Sequence, residues 1–252
     1  MSDRYFVDEP ISPGRVVLAG PEAHHLIHVM RAAPGMRVVL FDGSGTEFPA
    51  TVEQAGRSEV VLFALSREQV NRELPIDVTL GVALPKGDRQ RWLVEKAVEL
   101  GVTRIVPLRT QRGVAQPVEP ALVRLRRTVV EASKQCGRNR LLQIDESRSW
   151  PDFVDDSADA PCRLLAQPQE GKRGTGPICR NGPKGASHKL DLSPFFPPDR
   201  VLLAIGPEGG FVDEEVALAV AAGWHTVDLG PRILRVETAA LLLAAMVVQR
   251  FL

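Results

Sequence analysis

Cysteine is scarce in this 252-residue chain, with Cys136, Cys162 and Cys179 the only three. Their number is odd and their spacing fits no metal-ligand pattern. The sequence therefore carries no disulfide framework and fits a reducing compartment. No apolar run reaches the ~20 residues that a membrane span needs. The apolar stretch near the C-terminus falls short and reads as a core or subunit-interface helix. The opening "MSDRYFVDEP" has no hydrophobic signal core, so a cytoplasmic location, with no membrane partner, is the default expectation.

Several chemistries lack their motifs. No serine stands in a nucleophile elbow, and no Ser, His and Asp set suggests itself. The phosphate-cradling Gly-rich run that ends in Gly-Lys-Ser/Thr is missing, which disfavours a P-loop NTPase. No Gly-x-Gly-x-x-Gly turn follows the strand that opens the second half, as a dinucleotide fold or an ordinary Rossmann methyltransferase would want. His24 and His28 stand four apart on a candidate helix with His25 beside them, a spacing that can ligate zinc. The glutamate of a zincin motif and a distant third ligand are both absent, so a surface or RNA-facing role is preferred and no metal is expected.

Net charge is absent too, but only in sum. Residues 86–140 carry 13 basic and 5 acidic side chains, a net of +8, whereas residues 1–85 carry 7 and 11. Such a block reads either as a face for a polyanion or as a solvated helix surface.

What is present divides near residue 73. Before it, "RVVL", "MRVVLF", "TEFPATVE" and "SEVVLFAL" read as strands. A "DGSG" turn joins two of them, and one short helix, "PEAHHLIHVMR", interrupts the series. This pattern predicts a small β-barrel over 1–73, with "NRELP" as linker. Over 74–252 the grammar alternates. "DVTLGVAL", "RIVPL", "LLQI", "RLLA", "VLLAI" and "HTVDL" read as strands. "DRQRWLVEKAVEL", a segment near 119–135, "DEEVALAVAAG" and the C-terminal run read as helices. That is an α/β domain with a mostly parallel sheet. In the basic helix, Leu122, Leu125, Val129 and Ala132 form the apolar stripe, with Arg124, Arg126, Arg127 and Lys134 largely off it. Residues 168–199, rich in Gly and Pro and without period, read as a flexible insertion.

The glycines gather late. In "VLLAIGPEGGFVDEEV" a buried strand ends at Ile205, Gly206, Gly209 and Gly210 follow, and Asp213 reads as the next helix's N-cap. "LGPRILR" at 229–235 is a second loop of the same type, and it leads into an almost purely apolar helix. Glycine lets backbone approach a ligand, and ligands of parallel sheets sit at the carboxyl ends of strands. Two adjacent strand-end loops, each opening Gly-Pro, form one pocket on this reading; on the bland reading they are two tight turns.

At these residues the sequence resembles the SPOUT class of S-adenosylmethionine-dependent RNA methyltransferases. Within that class it is similar to the 16S ribosomal RNA uridine-N3 methyltransferases, the RsmE family. Besides "IGPEGG" and "LGPRILRVETA", the similarity rests on "HHLIHVMR", "KGDRQRWLVEKAVELGVTRIVPL" and "ASKQCGRNR". The resemblance implies a PUA-like N-terminal barrel, a SPOUT α/β domain with a deep trefoil knot, and a homodimer. It implies the small ribosomal subunit's 16S RNA as partner and N3 of uridine 1498 as target. The cofactor S-adenosylmethionine would then be held by Leu165, Ile205, Gly206, Pro207, Gly209, Gly210, Leu229, Gly230, Ile233 and Leu234. His25, Arg31, Lys86, Arg124, Arg127, Arg138 and Arg140 are the residues expected to meet RNA.

The chemistry names further candidates. Uracil N3 is a poor nucleophile until its proton leaves, so the protein must align N3 with the methyl group and stabilise charge spreading onto the uracil oxygens. Arg232 and Arg235 suit the second task, since arginine stays charged and presents several donors. Glu208 or Glu237 would orient an arginine or accept a proton, or merely brace a loop or helix N-terminus. N3 lies on the pairing edge, so the target must be unpaired or flipped out. Two competing readings stand: a SPOUT enzyme with another RNA target, and a non-enzymatic RNA-binding protein.

Overall fold

The computed structural model describes residues 3–113, 119–167 and 199–252; the insertion read at 168–199 lies outside the described residues apart from Asp199. The chain divides into two units. The first comprises Met1–Glu73 and Val130–Leu141, and the second Leu74–Val129 and Leu142–Leu252.

In the first unit, alternating apolar and polar residues produce strands with one buried face. Five strands, β1 (Arg4–Phe6), β2 (Gly14–Ala19), β3 (Arg37–Phe41), β4 (Glu47–Ala55) and β5 (Glu59–Ala64), form a sheet in the order β1-β3-β4-β5-β2. Only the β1–β3 pair is parallel. A bulge between Val52 and Gln54 bends β4, as an extra unpaired residue does. The sheet encloses Tyr5, Leu18, Leu26, Leu40, Phe48 and Leu62. Helix α1 (Gly20–His24) continues as one π-turn, His25–Val29, closed by Met30 N donating to His25 O at 3.1 Å. The Val130–Leu141 segment is stitched to this unit by Lys134 on Glu22 (2.8 Å), Arg138 on Glu73 (2.5 Å) and Asn139 Nδ2 on Val70 O (3.0 Å).

The second unit is built on a sheet whose recorded pairings are all parallel. Its order is β12 (His225–Val227), β10 (Cys162–Ala166), β11 (Arg200–Ile205), β6 (Asp77–Val82), β7 (Arg104–Arg109) and β8 (Gln143–Ile144), with β9 (Arg148–Ser149) also on β7. Central strands such as β11 are apolar on both faces because helices cover both. Helices α2 (Asp88–Glu99) and α6 (Val236–Val248) pack together, α6 also against β6 and β11, while α4 (Trp150–Asp155) packs with α5 (Asp213–Ala221). Helix α3 (Glu119–Cys136) buries Leu122, Leu125, Val129 and Ala132, the stripe expected from its sequence.

One cluster fixes the face under the glycine loop. Trp150 packs at a tilt against Phe211 with ring centroids 4.4 Å apart and lies 5.8 Å from Trp224. Both indole N–H groups have acceptors, Glu215 O and Ser157 Oγ, each at 2.9 Å. Phe153 sits so close to β6 that a Cβ on Gly81 would lie 2.6 Å from its ring. Only glycine permits this approach of helix to strand.

Candidate active site

Parallel strands deliver their following loops to one edge of the sheet. The loop after β11 begins at Gly206, where an added Cβ would meet the Phe211 ring at 3.0 Å. Here glycine serves packing rather than ligand approach. Gly210 N donates to Pro207 O at 2.8 Å, closing a turn that needs Gly210 at φ +70°. Asp213 is not the N-cap of α5, contrary to expectation. Val212 holds that position, and Glu215, three residues on, reaches back to accept from Val212 N at 3.0 Å. Its other oxygen accepts from Gln111 N at 2.8 Å. The loop after β7 is thereby tied to the loop after β11, and Arg112 Nη1 adds a bond to Gly209 O at 2.7 Å.

The loop after β12 is anchored at one end by Gly230 N donating to Asp228 Oδ1 at 2.9 Å. Gly230 stands at φ +106°, and neither it nor Gly210 has any atom within 4 Å of an added Cβ. Arg232 and Arg235 are exposed, their side chains make no hydrogen bond or ion pair among the described residues, and Ile233 is 97% exposed. Arg235 is the N-cap residue of α6, and the chain becomes buried at Val236 immediately after it. Glu208 does not brace Arg235; its Oε1 lies 3.4 Å from Arg89 Nη1. The same guanidinium nitrogen is 3.8 Å from Glu237 Oε2, a buried oxygen without a hydrogen-bond donor among the described residues. A cavity of about 210 Å³ opens between the ends of β6 and β11, bordered by Lys86, Arg89, Pro207 and Glu208.

The two glycine loops are not on neighbouring strands as expected, because β10 lies between β11 and β12. Leu165, one residue before the end of β10, and Ile205, the last of β11, are buried, so their side chains belong to the core. Pro207 is buried and Leu234 half-buried. Among residues expected to meet RNA, Arg138 is a correction: it is 4% exposed and clamped by Glu73, so the charge that marked it in the sequence is consumed internally. Arg126, likewise, is held by Glu119 at 2.7 Å. His25, Arg31 and Arg140 are exposed on the first unit, and Lys86, Arg124 and Arg127 on the second. His24 and His28 lie against each other with tilted rings, centroids 4.5 Å apart, and no set of three metal-ligating side chains occurs among the described residues. No helix among the described residues is long and apolar enough to cross a membrane. Burial pushes the Cys162 thiol up to about 12, which leaves it inert.

Sequence reasoning missed Arg89, Arg112 and Glu215. Arg112 and Glu215 act through partners 97 and 104 residues away, which no local pattern announces. Arg89 had a signal, since a cation in the first turn of a helix opposes the helix dipole.

Residues 72–248 match the RNA methyltransferase domain family, and residues 18–64 match the RNA methyltransferase PUA domain. The chain is 32% identical to a Synechocystis protein, ribosomal RNA small subunit methyltransferase E, over 92% of this chain and 72% of that one. The solved structure of the Neisseria gonorrhoeae ribosomal RNA small subunit methyltransferase E, bound to S-adenosyl methionine, is 28% identical and superposes with a TM-score of 0.85 over 100% of this chain and 98% of that one. A Legionella pneumophila protein solved with the cofactor SAM is 30% identical, with a TM-score of 0.82 over 99% and 98% of the two chains. A parallel α/β domain with glycine loops at its strand ends, preceded by a PUA-like unit, is thus matched in fold and in sequence along its whole length, and the chain belongs to the RNA methyltransferase family of the ribosomal RNA small subunit methyltransferases E.

Proposed function

We propose that the protein transfers a methyl group from S-adenosylmethionine to N3 of a specific uridine in 16S ribosomal RNA, the position named by the resemblance. The observation that carries this reading is a pair of arginines, Arg232 and Arg235, whose side chains have no partner among the described residues, on a glycine-opened loop at the carboxyl edge of a parallel sheet. The cofactor fits what is there. The open space beside Gly210 and Gly230 is what backbone approaching a ligand requires. Backbone of Gly206–Gly210 and Leu229–Leu234, with the ends of β10 at Leu165 and β11 at Ile205, would hold it. Its sulfonium supplies an electrophilic methyl group without help from a metal. Arg235 and Arg232 stabilise the uracil oxygens as N3 gives up its proton to solvent, and Glu208 orients Arg89 in the free protein. His25, Arg31, Lys86, Arg124, Arg127 and Arg140 contact RNA backbone. The trefoil knot, the homodimer and the cytoplasmic location belong to the same proposal. Ile233 and Leu242 leave apolar side chains exposed on the loop and on α6, as an interface between copies there requires.

Mass mapping of methylated nucleosides in 16S RNA, from cells with and without the gene, tests the reading. Loss of N3-methyluridine from one position on deletion is expected, and an unchanged nucleoside map refutes it. A cofactor titration with the purified protein separates an enzyme from an RNA-binding protein.

A further inference from the structure

The cavity beside Arg89 meets the loop after β11 at Pro207 and Glu208, and the rest of its lining, Ala83–Lys86, Arg89 and Gly113, lies outside the segments assigned above to the cofactor. Its walls are apolar along Ala83–Pro85 and at Pro207, and its polar side is Lys86, Arg89 and Glu208. Arg89 is unsettled there. Its ion pairs to Glu208 and Glu237 stand at 3.4 and 3.8 Å, and its guanidinium makes no hydrogen bond among the described residues. Glu237 is worse placed. Its side chain is 7% exposed, yet Oε2 has no donor among the described residues. A carboxylate held out of water with its cation beyond hydrogen-bond reach is incompletely compensated, and native proteins keep few such atoms without a reason. Glu208, at 57% side-chain exposure, loses little if Arg89 leaves it, because water replaces the pair.

We propose that this cavity receives the target base and that Arg89 is the group that reads it. On entry of the base, Arg89 exchanges Glu208 for a full hydrogen bond to Glu237 Oε2 and turns its remaining donors to a uracil carbonyl oxygen. The proposal rests on the reading that uridine is the substrate. A guanidinium carries five N–H donors in a fixed fork, enough to serve carboxylate and base together. The same fork discriminates. Uracil presents O4 as an acceptor where cytosine presents an amino group, so cytosine would set donor against donor. Glu237 is a positioning residue: buried and anchored in the first turn of α6, it fixes where the fork points. Arg89 then also faces the oxygens that gain charge as N3 loses its proton.

The two carboxylates therefore act in opposite senses on binding, which a passive ion-pair cluster would not produce. The test is equilibrium binding of a short single-stranded RNA containing one uridine, and of its cytidine counterpart, to the full-length protein. Glu208→Gln frees Arg89 and should tighten binding of the uridine RNA. Glu237→Gln should weaken it, and Arg89→Lys, which keeps the charge but loses the fork, should cut the uridine-over-cytidine preference by roughly five- to a hundredfold. Cofactor affinity and melting temperature should stay near wild type in Arg89→Lys. In single-turnover methylation that variant should lose rate more than it raises the half-saturating RNA concentration. Wild-type uridine preference and rate in Arg89→Lys, or weakening by both Gln variants alike, overturns the proposal. Loss of cofactor affinity in Arg89→Lys also overturns it, by assigning the cavity to the cofactor. Failure of the underlying reading is separate: the wild-type protein would then place its methyl group somewhere other than uridine N3 in the nucleoside map.

Discussion

Replacing Glu215 by glutamine should loosen the glycine loop without disturbing the core beneath it. The carboxylate is 6% exposed and accepts two backbone hydrogen bonds, from Val212 N at 3.0 Å and Gln111 N at 2.8 Å. Glutamine keeps one acceptor oxygen and places an NH2 group against the other N–H. One bond is lost and two donors face each other. A hydrogen bond to a charged group contributes about 1.5–3 kcal/mol, and both amides are only partly buried, so the loss should be about 2 kcal/mol. For a chain of this size that lowers the melting temperature by roughly 4–8 °C. Alanine, which strands both amides, should cost about twice as much. Because Glu215 ties the β7 loop to the β11 loop, and the β7 loop holds Gly209 through Arg112, cofactor affinity should fall in the same order. Thermal unfolding followed by circular dichroism, with calorimetric cofactor titration on each variant, measures both. A shift under about 1 °C for Glu215→Gln, with unchanged affinity, would show that the brace is dispensable.

Arg235→Ala should bind S-adenosylmethionine nearly normally yet methylate on the order of a hundred- to a thousandfold more slowly in single turnover, the effect of removing one preorganised donor of about 3–4 kcal/mol. Raising the pH should partly restore its rate, since more N3 is then deprotonated without help; a parallel loss of cofactor affinity would assign Arg235 to binding instead. Gly81→Ala must displace Phe153, so it should destabilise by about 1–3 kcal/mol, and Phe153→Leu in the same chain should recover part of that in a double-mutant cycle. In the first unit, burial pushes the Glu47 carboxyl up, but hydrogen bonds and charge from Arg72 and Arg4 outweigh it and hold it below the usual carboxylate range. A depressed folded value means stability present above the unfolded value near pH 4.3 and lost as pH falls through the folded one. Unfolding midpoints should therefore drop more steeply below about pH 4.3 in wild type than in Glu47→Gln, and equal slopes would remove Glu47 from the account.

Long periodic elements were legible in the sequence because burial writes itself into the pattern. The stripe Leu122, Leu125, Val129 and Ala132 is buried as read, and so are Val236, Ala240, Leu243, Ala244, Val247 and Val248 of the apolar run of α6. Some short elements were not, although β8 and β12 were read within "LLQI" and "HTVDL". Strand β1 has three residues and α4 six, too few for a period to show, and each is held by tertiary contacts: β1 by pairing with β3, α4 by the aromatic cluster around Trp150. Strand order was hidden for a related reason. Both glycine loops could be read, but nothing in either reveals that β10 runs between their strands.

Charge was the least transferable signal, because a count of arginines records supply and not availability. Within residues 86–140, Arg104, Arg112, Arg126, Lys134 and Arg138 are engaged with Asp145, Gly209 O, Glu119, Glu22 and Glu73. Lys86, Arg124, Arg127 and Arg140 have side-chain cations with no partner among the described residues, so a polyanion can meet these without displacing a carboxylate there. The same distinction separates the arginines of the site. Arg112 is a strut and Arg89 is caught between two acids. Arg232 and Arg235 are uncommitted, but they are not adrift. Their loop is pinned at Gly230 by Asp228 and at Val236 by burial in α6, six residues apart. A backbone fixed at both ends has already lost much of its conformational freedom on folding, so ordering the two side chains on a substrate costs less than ordering a free loop would. That is the property a preorganised electrostatic site needs, and it follows from where the apolar helix begins.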